Sequence, residues 1–269
     1  MSAPRGIKGS TPRLAPWLAA PLIVLLVVPV VMLAVRNSPA ALAAAMRSPE
    51  VLEAVWLSLA TSAASLFISL ALGTPLAYWL ARSRSRFAAV AEVFVDLPIV
   101  LPPAVAGVGL LLALGRNSVL GSLLGRLGLE VAFTPAAVII AQVFVASPYS
   151  IRAARAGFAS ISAEVRESAI LDGASGWRLF ADVLAPAAAP SLLAGAAMCW
   201  SRALGEFGAT IIFAGNFPGR TQTMPLAIYI GIQNSLDKAL ALSTILILLS
   251  LVLLAAVRLT GWKAATERP

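Results

Sequence analysis

The sequence predicts an all-α integral membrane protein with about six membrane-spanning helices and both termini on the cytoplasmic side. Three observations carry that expectation. The 269 residues are 59% hydrophobic and only 12% charged, with a mean hydropathy of +0.90, whereas a soluble domain is about a quarter charged. The apolar residues are gathered into runs long enough to cross a ~30 Å hydrocarbon core at ~1.5 Å per residue. The 20 Lys and Arg residues sit almost entirely between those runs, and the two sets of alternate loops share them unevenly.

Taken in order, residues 1–16 form a basic tail with Arg5, Lys8 and Arg13. Trp17 to Val35 is a charge-free run of 19 residues. It exceeds the roughly 7–15 apolar residues of a secretory leader, so it is expected to stay as a helix although small residues follow it in SPAALAAA. The second span runs from Ala54 to Ala81 and the third from Val93 to Leu114, the latter carrying Asp96, Pro98, Pro102 and Pro103. Val131 to Ile151 is the fourth. Ala187 to Ala214 is the fifth and holds Arg202 and Glu206, and Ala239 to Val257 is the sixth, before a tail at 259–269. The termini, the 82–92 loop and the 152–186 loop hold 13 Lys and Arg, against 6 in residues 36–53, 115–130 and 215–238. The positive-inside bias therefore places the first set in the cytoplasm. Residues 17–258 read as one transmembrane unit, since the longest intervening stretch is too short for a core of its own.

Composition also excludes chemistry. Histidine is absent and Cys199 is the single cysteine, which removes His-based acid–base catalysis, His-ligated metal and an internal disulfide. No GxxxxGK[ST] loop exists; the nearest approach, Gly6 to Thr11, lacks the spacing. Neither an enzyme nor a cofactor or metal site is expected, and any ATP has to bind another polypeptide. The formal charge of +8 lies in short loops rather than in an aromatic-interleaved patch, so membrane orientation accounts for it and nucleic acid does not.

The longest polar interruption is EVRESAILDGASGWRLFADVLAP, Glu164 to Pro186, within a loop of about 160–186. Ser162 suits an N-cap, with Glu164 and Glu167 favourable near the positive helix end. Gly173 falls where a left-handed C-terminal turn excludes a Cβ. Ser175 is placed to cap a second short helix with Trp177, Phe180 and Val183 or Leu184 on its apolar face, closed by Pro186. Two short helices joined by a glycine turn are expected at the membrane surface.

This stretch resembles the EAA loop of ABC importer permeases, in which Glu-Ala-Ala is followed after three residues by Gly and, nine residues later, by an aliphatic residue, one further residue and Leu-Pro. Glu167, Ala169, Gly173, Val183 and Pro186 keep that spacing, with Ser168 and Ala185 as small departures. The resemblance implies the type I ABC importer permease fold. It also implies a loop that docks on a cytoplasmic ATPase, through Glu167, Ser168, Ala169, Asp172, Gly173, Ala174 and Pro186.

Two further segments carry polar or helix-breaking residues inside spans. In RALGEFGATIIFAGNFPGRTQTMPLAIY, Arg202 and Glu206 are four apart and able to pair. The pair either locks the fifth helix or lies at a gate, while Gly205, Gly208 and Ala209 permit close helix packing. In DLPIVLPPAVAGVGLLLALGR, Pro98, Pro102 and Pro103 break the helical ladder, giving a broken span along a substrate path or a kinked packing helix. Pro102, Pro103, Arg202, Glu206 and Thr210 are the pore or gate candidates. With the loop, these segments resemble the oxyanion branch of the permeases, the molybdate and sulfate importers, and GEFGAT followed by AGNFPGRTQTMPLAIY is most similar to the molybdate permeases. That resemblance implies a permease homodimer in the lipid bilayer of a bacterial-type cell membrane, two ATPase subunits and an extracytoplasmic oxyanion-binding protein. Sulfate, thiosulfate or tungstate is the alternative cargo. An ion-coupled secondary transporter is the rival class; it would place more carboxylates within the spans than Asp96 and Glu206.

Overall fold

The chain enters its helices where serine or proline leads. The computed structural model describes residues 15–266, and the outer parts of the two expected tails, 1–14 and 267–269, lie outside them. Among the described residues every regular element is helical. The helices are α1 (Ala15–Arg36), α2 (Pro39–Ala45), α3 (Pro49–Arg82), α4 (Arg86–Val100), α5 (Pro103–Leu114), α6 (Val119–Arg126) and α7 (Pro135–Ala159). They continue with α8 (Ala163–Leu171), α9 (Gly176–Arg178), a π-helical turn (Leu179–Leu184), α10 (Ala185–Leu204), α11 (Gly208–Phe213), α12 (Met224–Asn234) and α13 (Leu236–Thr266). The hydroxyls of Ser38, Ser85 and Ser118 accept the N–H groups of Ala41, Ala88 and Gly121, the N-cap arrangement that satisfies an orphan donor. Proline opens α2, α3, α5 and α7, where its missing N–H costs nothing.

The expected spans map onto α1, α3, α4 with α5, α7, the run from α9 to α10, and α13. Trp17–Arg36, Pro49–Arg82, Pro135–Ala159 and Gly176–Leu204 are each long and apolar enough to cross a membrane, and α4 with α5 makes a further span bent by 118°. The sixth expected span, 239–257, lies within α13.

Most helix ends lie a few residues from the expected span limits, and three differences bear on the site. The fourth span does not stop at Ile151: α7 runs to Ala159, and its added turns carry Arg152 and Arg155, which pair with Asp96 and Glu92 of α4. The fifth span is interrupted after Leu204 and resumes as α11 at Gly208. Pro186 does not close a helix. It sits in the first turn of α10, and the preceding π-helical turn, with Ala185 N–H bonded to the Phe180 carbonyl, carries the chain past the missing proline donor without a break.

Lipid tails are as apolar as leucine, so helix association in a bilayer rests on close packing and interhelical hydrogen bonds. The α3–α7–α10 core follows that rule. Ser58, Ser62, Ser65 and Ser69 recur at helical spacing on α3 and are buried. Ser65 Oγ lies 2.8 Å from Gln142 Oε1 of α7, Trp200 Nε1 of α10 donates to Ser62 Oγ at 2.9 Å, and Met224 N–H of α12 donates to Ser58 Oγ at 2.7 Å. Helix α1 stands outside this core, with none of its apolar window buried. It is tethered where Asn37 Nδ2 donates to the Leu240 carbonyl at 2.8 Å and to Thr244 Oγ1 at 2.6 Å on α13.

Candidate functional site

Two regions collect the residues singled out by the sequence. The first is the surface hairpin of α8 and α9. Helix α8 starts at Ser162, whose hydroxyl sits 3.5 Å from the Val165 N–H, and it buries none of its residues. It ends in a Schellman turn: Ala174 N–H bonds the Ala169 carbonyl at 2.9 Å and Gly173 N–H bonds the Ile170 carbonyl at 3.0 Å, with Gly173 at φ +89°. Ala169 therefore supplies the carbonyl that anchors the turn, and Asp172 is its C-cap. Glu167, Ser168, Asp172 and Gly173 are exposed, while Ala169 and Ala174 are half-buried.

The second helix of the hairpin is anchored on one side only. Phe180 meets Tyr78 and Phe158 in an aromatic cluster, and Leu184 is fully buried. Trp177, by contrast, is 75% exposed and Leu171 87% exposed. Trp177 lies on the expected apolar face, its ring centroid 5.4 Å from that of Phe180, but at the exposed end of it, and Ser175 makes no capping hydrogen bond. Large apolar side chains in a stretch expected to lie outside the bilayer, rimmed by Glu164, Glu167, Asp172 and Arg178, form a surface suited to a protein partner.

The second region is where the two interrupted spans meet. Leu101, held extended by the proline after it, and Pro102 turn α4 into α5. A Cβ on Gly208 would stand 2.8 Å from Pro103 Cβ, and one on Gly107 would stand 2.8 Å from the Ala209 carbonyl. The corner of the third span therefore rests directly on the restart of the fifth, and only glycine allows it. Gly208 and Ala209 supply the close approach expected of the small residues; Gly205 instead forms the C-cap of α10.

Glu206 sits at this junction, 1% exposed. Its Oε1 accepts the Ala209 N–H at 2.7 Å, and its Oε2 lies 2.7 Å from Arg202 Nη1. The expected i,i+4 pair exists, but it spans the break rather than lying on one continuous helix. Thr210 is also fully buried, with no partner for its hydroxyl among the described residues, whereas Pro102 is exposed. A buried carboxylate holding both a cation and the first turn of α11 fixes the geometry of the junction. Among the described residues no three of His, Cys, Asp and Glu converge as a metal site would need.

Sequence reasoning missed the serine stripe of α3 and the charge ladder of Glu92 and Asp96 with Arg155 and Arg152. The stripe was legible as four serines at i, i+4, i+7 and i+11 within an apolar run. The ladder needed the tertiary fold.

Known proteins align with this arrangement. Residues 73–260 match the family described as binding-protein-dependent transport system inner membrane component. The chain is 40% identical over 210 residues to the probable transport system permease protein NifC of Clostridium pasteurianum, covering 78% of this chain and 73% of that one. It is 37% identical over 228 residues to the molybdenum transport system permease protein ModB of Mycobacterium tuberculosis, covering 85% and 86%. In fold it is similar to a chain of a bacterial ABC transporter involved in the import of the acidic polysaccharide alginate, with TM-score 0.71, 18% identity and coverage of 95% and 96%. A chain of the MetNI methionine ABC transporter in an inward-facing conformation superposes with TM-score 0.62 at 18% identity, covering 81% and 96%. With a family match over most of its length and the interrupted helical spans in place, the chain belongs to the binding-protein-dependent transport system inner membrane components, as a multi-pass permease of the type I ABC importer fold.

Proposed function

We propose that this chain is the membrane-spanning permease subunit of an ATP-driven importer and translocates molybdate delivered by an extracytoplasmic binding protein. The observation that carries the reading is the exposed α8–α9 hairpin with its Schellman turn at Gly173, in a chain whose relatives include molybdenum permeases. Two copies of the chain form the pathway in the cell membrane, and each hairpin docks on one of two cytoplasmic ATPase subunits through Glu167, Ser168, Ala169, Asp172, Gly173 and Ala174. Pro186, past which the helix continues unbroken, joins the hairpin to the fifth span. ATP binds and is hydrolysed in the partner subunits, and no cofactor resides in this chain.

Transport proceeds by alternating access. Closure of the ATPase pair moves the hairpins as rigid bodies and opens the pathway outward, the binding protein releases its anion, and hydrolysis resets the pathway inward. The junction of Pro102, Pro103, Arg202, Glu206 and Thr210 acts as the gate, because interrupted helices can rearrange where continuous ones cannot.

The test is uptake into vesicles containing the permease, its ATPase and its binding protein, with labelled molybdate outside and ATP on the ATPase side. ATP-dependent uptake that resists excess sulfate is the expected result. Uptake blocked by sulfate reassigns the cargo to sulfate, and uptake without ATP overturns the importer reading.

A further inference from the structure

A cavity of about 580 Å³ opens between α7, α10 and α13. Its walls carry Tyr149, Ser201, Arg202, Gly205 and Ser250 beside small and apolar side chains. Arg202 is the single charged residue in that lining. A charge within a span faces a partner or a water-filled path rather than hydrocarbon; Arg202 has Glu206 on one side and this cavity on the other.

The pairing of Arg202 leaves most of its donors unspent. Glu206 Oε2 is close, at 2.7 Å, yet the contact is not aligned as a hydrogen bond, and the other carboxylate oxygen is taken by the Ala209 N–H. A guanidinium has five N–H groups in a planar fork. The Arg202 side chain is 26% exposed while Glu206 is 1% exposed, so the cation borders the cavity and the carboxylate is withdrawn behind it. No carboxylate lines the cavity to repel an anion. The hydroxyls of Tyr149 and Ser201 add two donors; Ser250 Oγ already donates to the Leu246 carbonyl at 2.8 Å.

We propose that Arg202, with the hydroxyls of Tyr149 and Ser201, is a contact site for a tetrahedral oxyanion on its way across the membrane. The inference rests on the importer reading above and adds the place where this chain touches its cargo. Glu206 has two effects there: it holds the guanidinium in position, and its negative charge keeps the site weak. A transport site has to bind firmly enough to admit an ion and loosely enough to release it.

The experiment compares wild type, Arg202→Gln, Arg202→Lys, the neutral pair Arg202→Gln with Glu206→Gln, and Tyr149→Phe, each as the assembled permease–ATPase complex in phosphatidylcholine vesicles. The neutral pair avoids stranding a buried carboxylate, so its result reports the anion contact rather than a damaged junction. Two quantities are read: labelled molybdate taken up per ATP hydrolysed with the binding protein present, and molybdate bound at equilibrium without it. Removing the cation is expected to lower both by about tenfold or more, the equivalent of one lost charge-assisted contact. Arg202→Lys restores part of each, and Tyr149→Phe lowers them by a smaller factor. Wild-type uptake and binding in the neutral pair overturn the proposal and leave Arg202 a structural partner of Glu206. A lysine variant as defective as glutamine also overturns it. Absence of ATP-driven uptake in the wild type, with Arg202-dependent binding retained, refutes the importer reading and not the anion site.

Discussion

Gly173 carries its constraint in the backbone alone. At φ +89° it needs a residue without a Cβ, yet an added Cβ would meet nothing within 4 Å. Gly173→Val therefore penalises the turn by about 1–2 kcal/mol without disturbing packing elsewhere. The expected outcome is an intact, inserted permease whose ATPase subunit binds about tenfold more weakly and whose uptake falls accordingly, measured by titrating the ATPase onto reconstituted permease. Glu206 shows the opposite behaviour. Glu206→Ala strands the Arg202 cation and the Ala209 N–H together and is expected to cost about 3–5 kcal/mol, seen as a lower thermal midpoint in detergent. Glu206→Gln, which keeps an acceptor for Ala209, is expected to cost less. The offset of Gly173 was legible because it closes a helical turn at a fixed spacing, and that of the Arg202–Glu206 pair because a separation of four residues brings the side chains together even across the break after Leu204. The capping role of Glu206 was not: Gly205-Glu206-Phe207-Gly208 contains no proline, and in an apolar run no amphipathic period reveals where a helix stops.

Among the elements, the α4–α5 corner and α11 act as a pair. Gly208→Val would drive a side chain into Pro103 Cβ, already 2.8 Å from a bare Cβ. Uptake is expected to be lost while membrane insertion stays normal, and Pro103→Gly in the same chain restores part of it; uptake assayed beside immunoblotting of the membrane fraction separates the two. Three prolines announced a disruption there, and a kink and a break fitted them equally; Pro98 lies inside α4 without ending it, and the bend of 118° falls at Pro102 and Pro103. A second link joins the starts of α3 and α13, where the Lys238 ammonium donates to the Glu50 carboxylate. That bond first, then the Ser48 hydroxyl and the attraction of the Lys238 charge, hold the Glu50 carboxyl below its usual range. A lowered carboxyl pKa contributes stability that is present above the unfolded value and lost as pH falls through the folded one. The protection of the 236–240 amides, taken relative to their intrinsic exchange rate at each pH, is therefore expected to be constant near neutrality and to fall only once acid protonates Glu50. In Glu50→Gln the exchange is expected to be faster at neutrality and to show no such acid step.

For the molecule as a whole, the order of the spans was legible because lipid demands about 20 consecutive apolar residues per crossing; among the described residues four helices, or five with the bent α4–α5 pair, meet that length and hydropathy, against the six expected. The serine spacing marks the packing face of α3, but the sequence does not reveal which helices meet it, since packing in lipid depends on small residues rather than on an apolar stripe. Sidedness follows from charge and is open to a direct check. Cys199 is the single cysteine and is buried, so Cys199→Ala provides a thiol-free background for Leu171→Cys and Arg126→Cys. An impermeant maleimide is expected to label position 126 in right-side-out vesicles and position 171 only in inverted ones; the reverse pattern would invert the topology. The π-helical turn before Pro186 has mechanical weight at this scale. Because the π-helical turn carries the chain past Pro186, Gly176 to Leu204 is a single helical run of 29 residues, a lever about 43 Å long at 1.5 Å per residue. Pivoted at one end, it converts a tilt of about 5° into a stroke of about 4 Å at the other, comparable to the radius of a small hydrated anion. A rotation at Trp177 and a displacement of Arg202 would thus be two ends of one helical arm, its gearing set by its length.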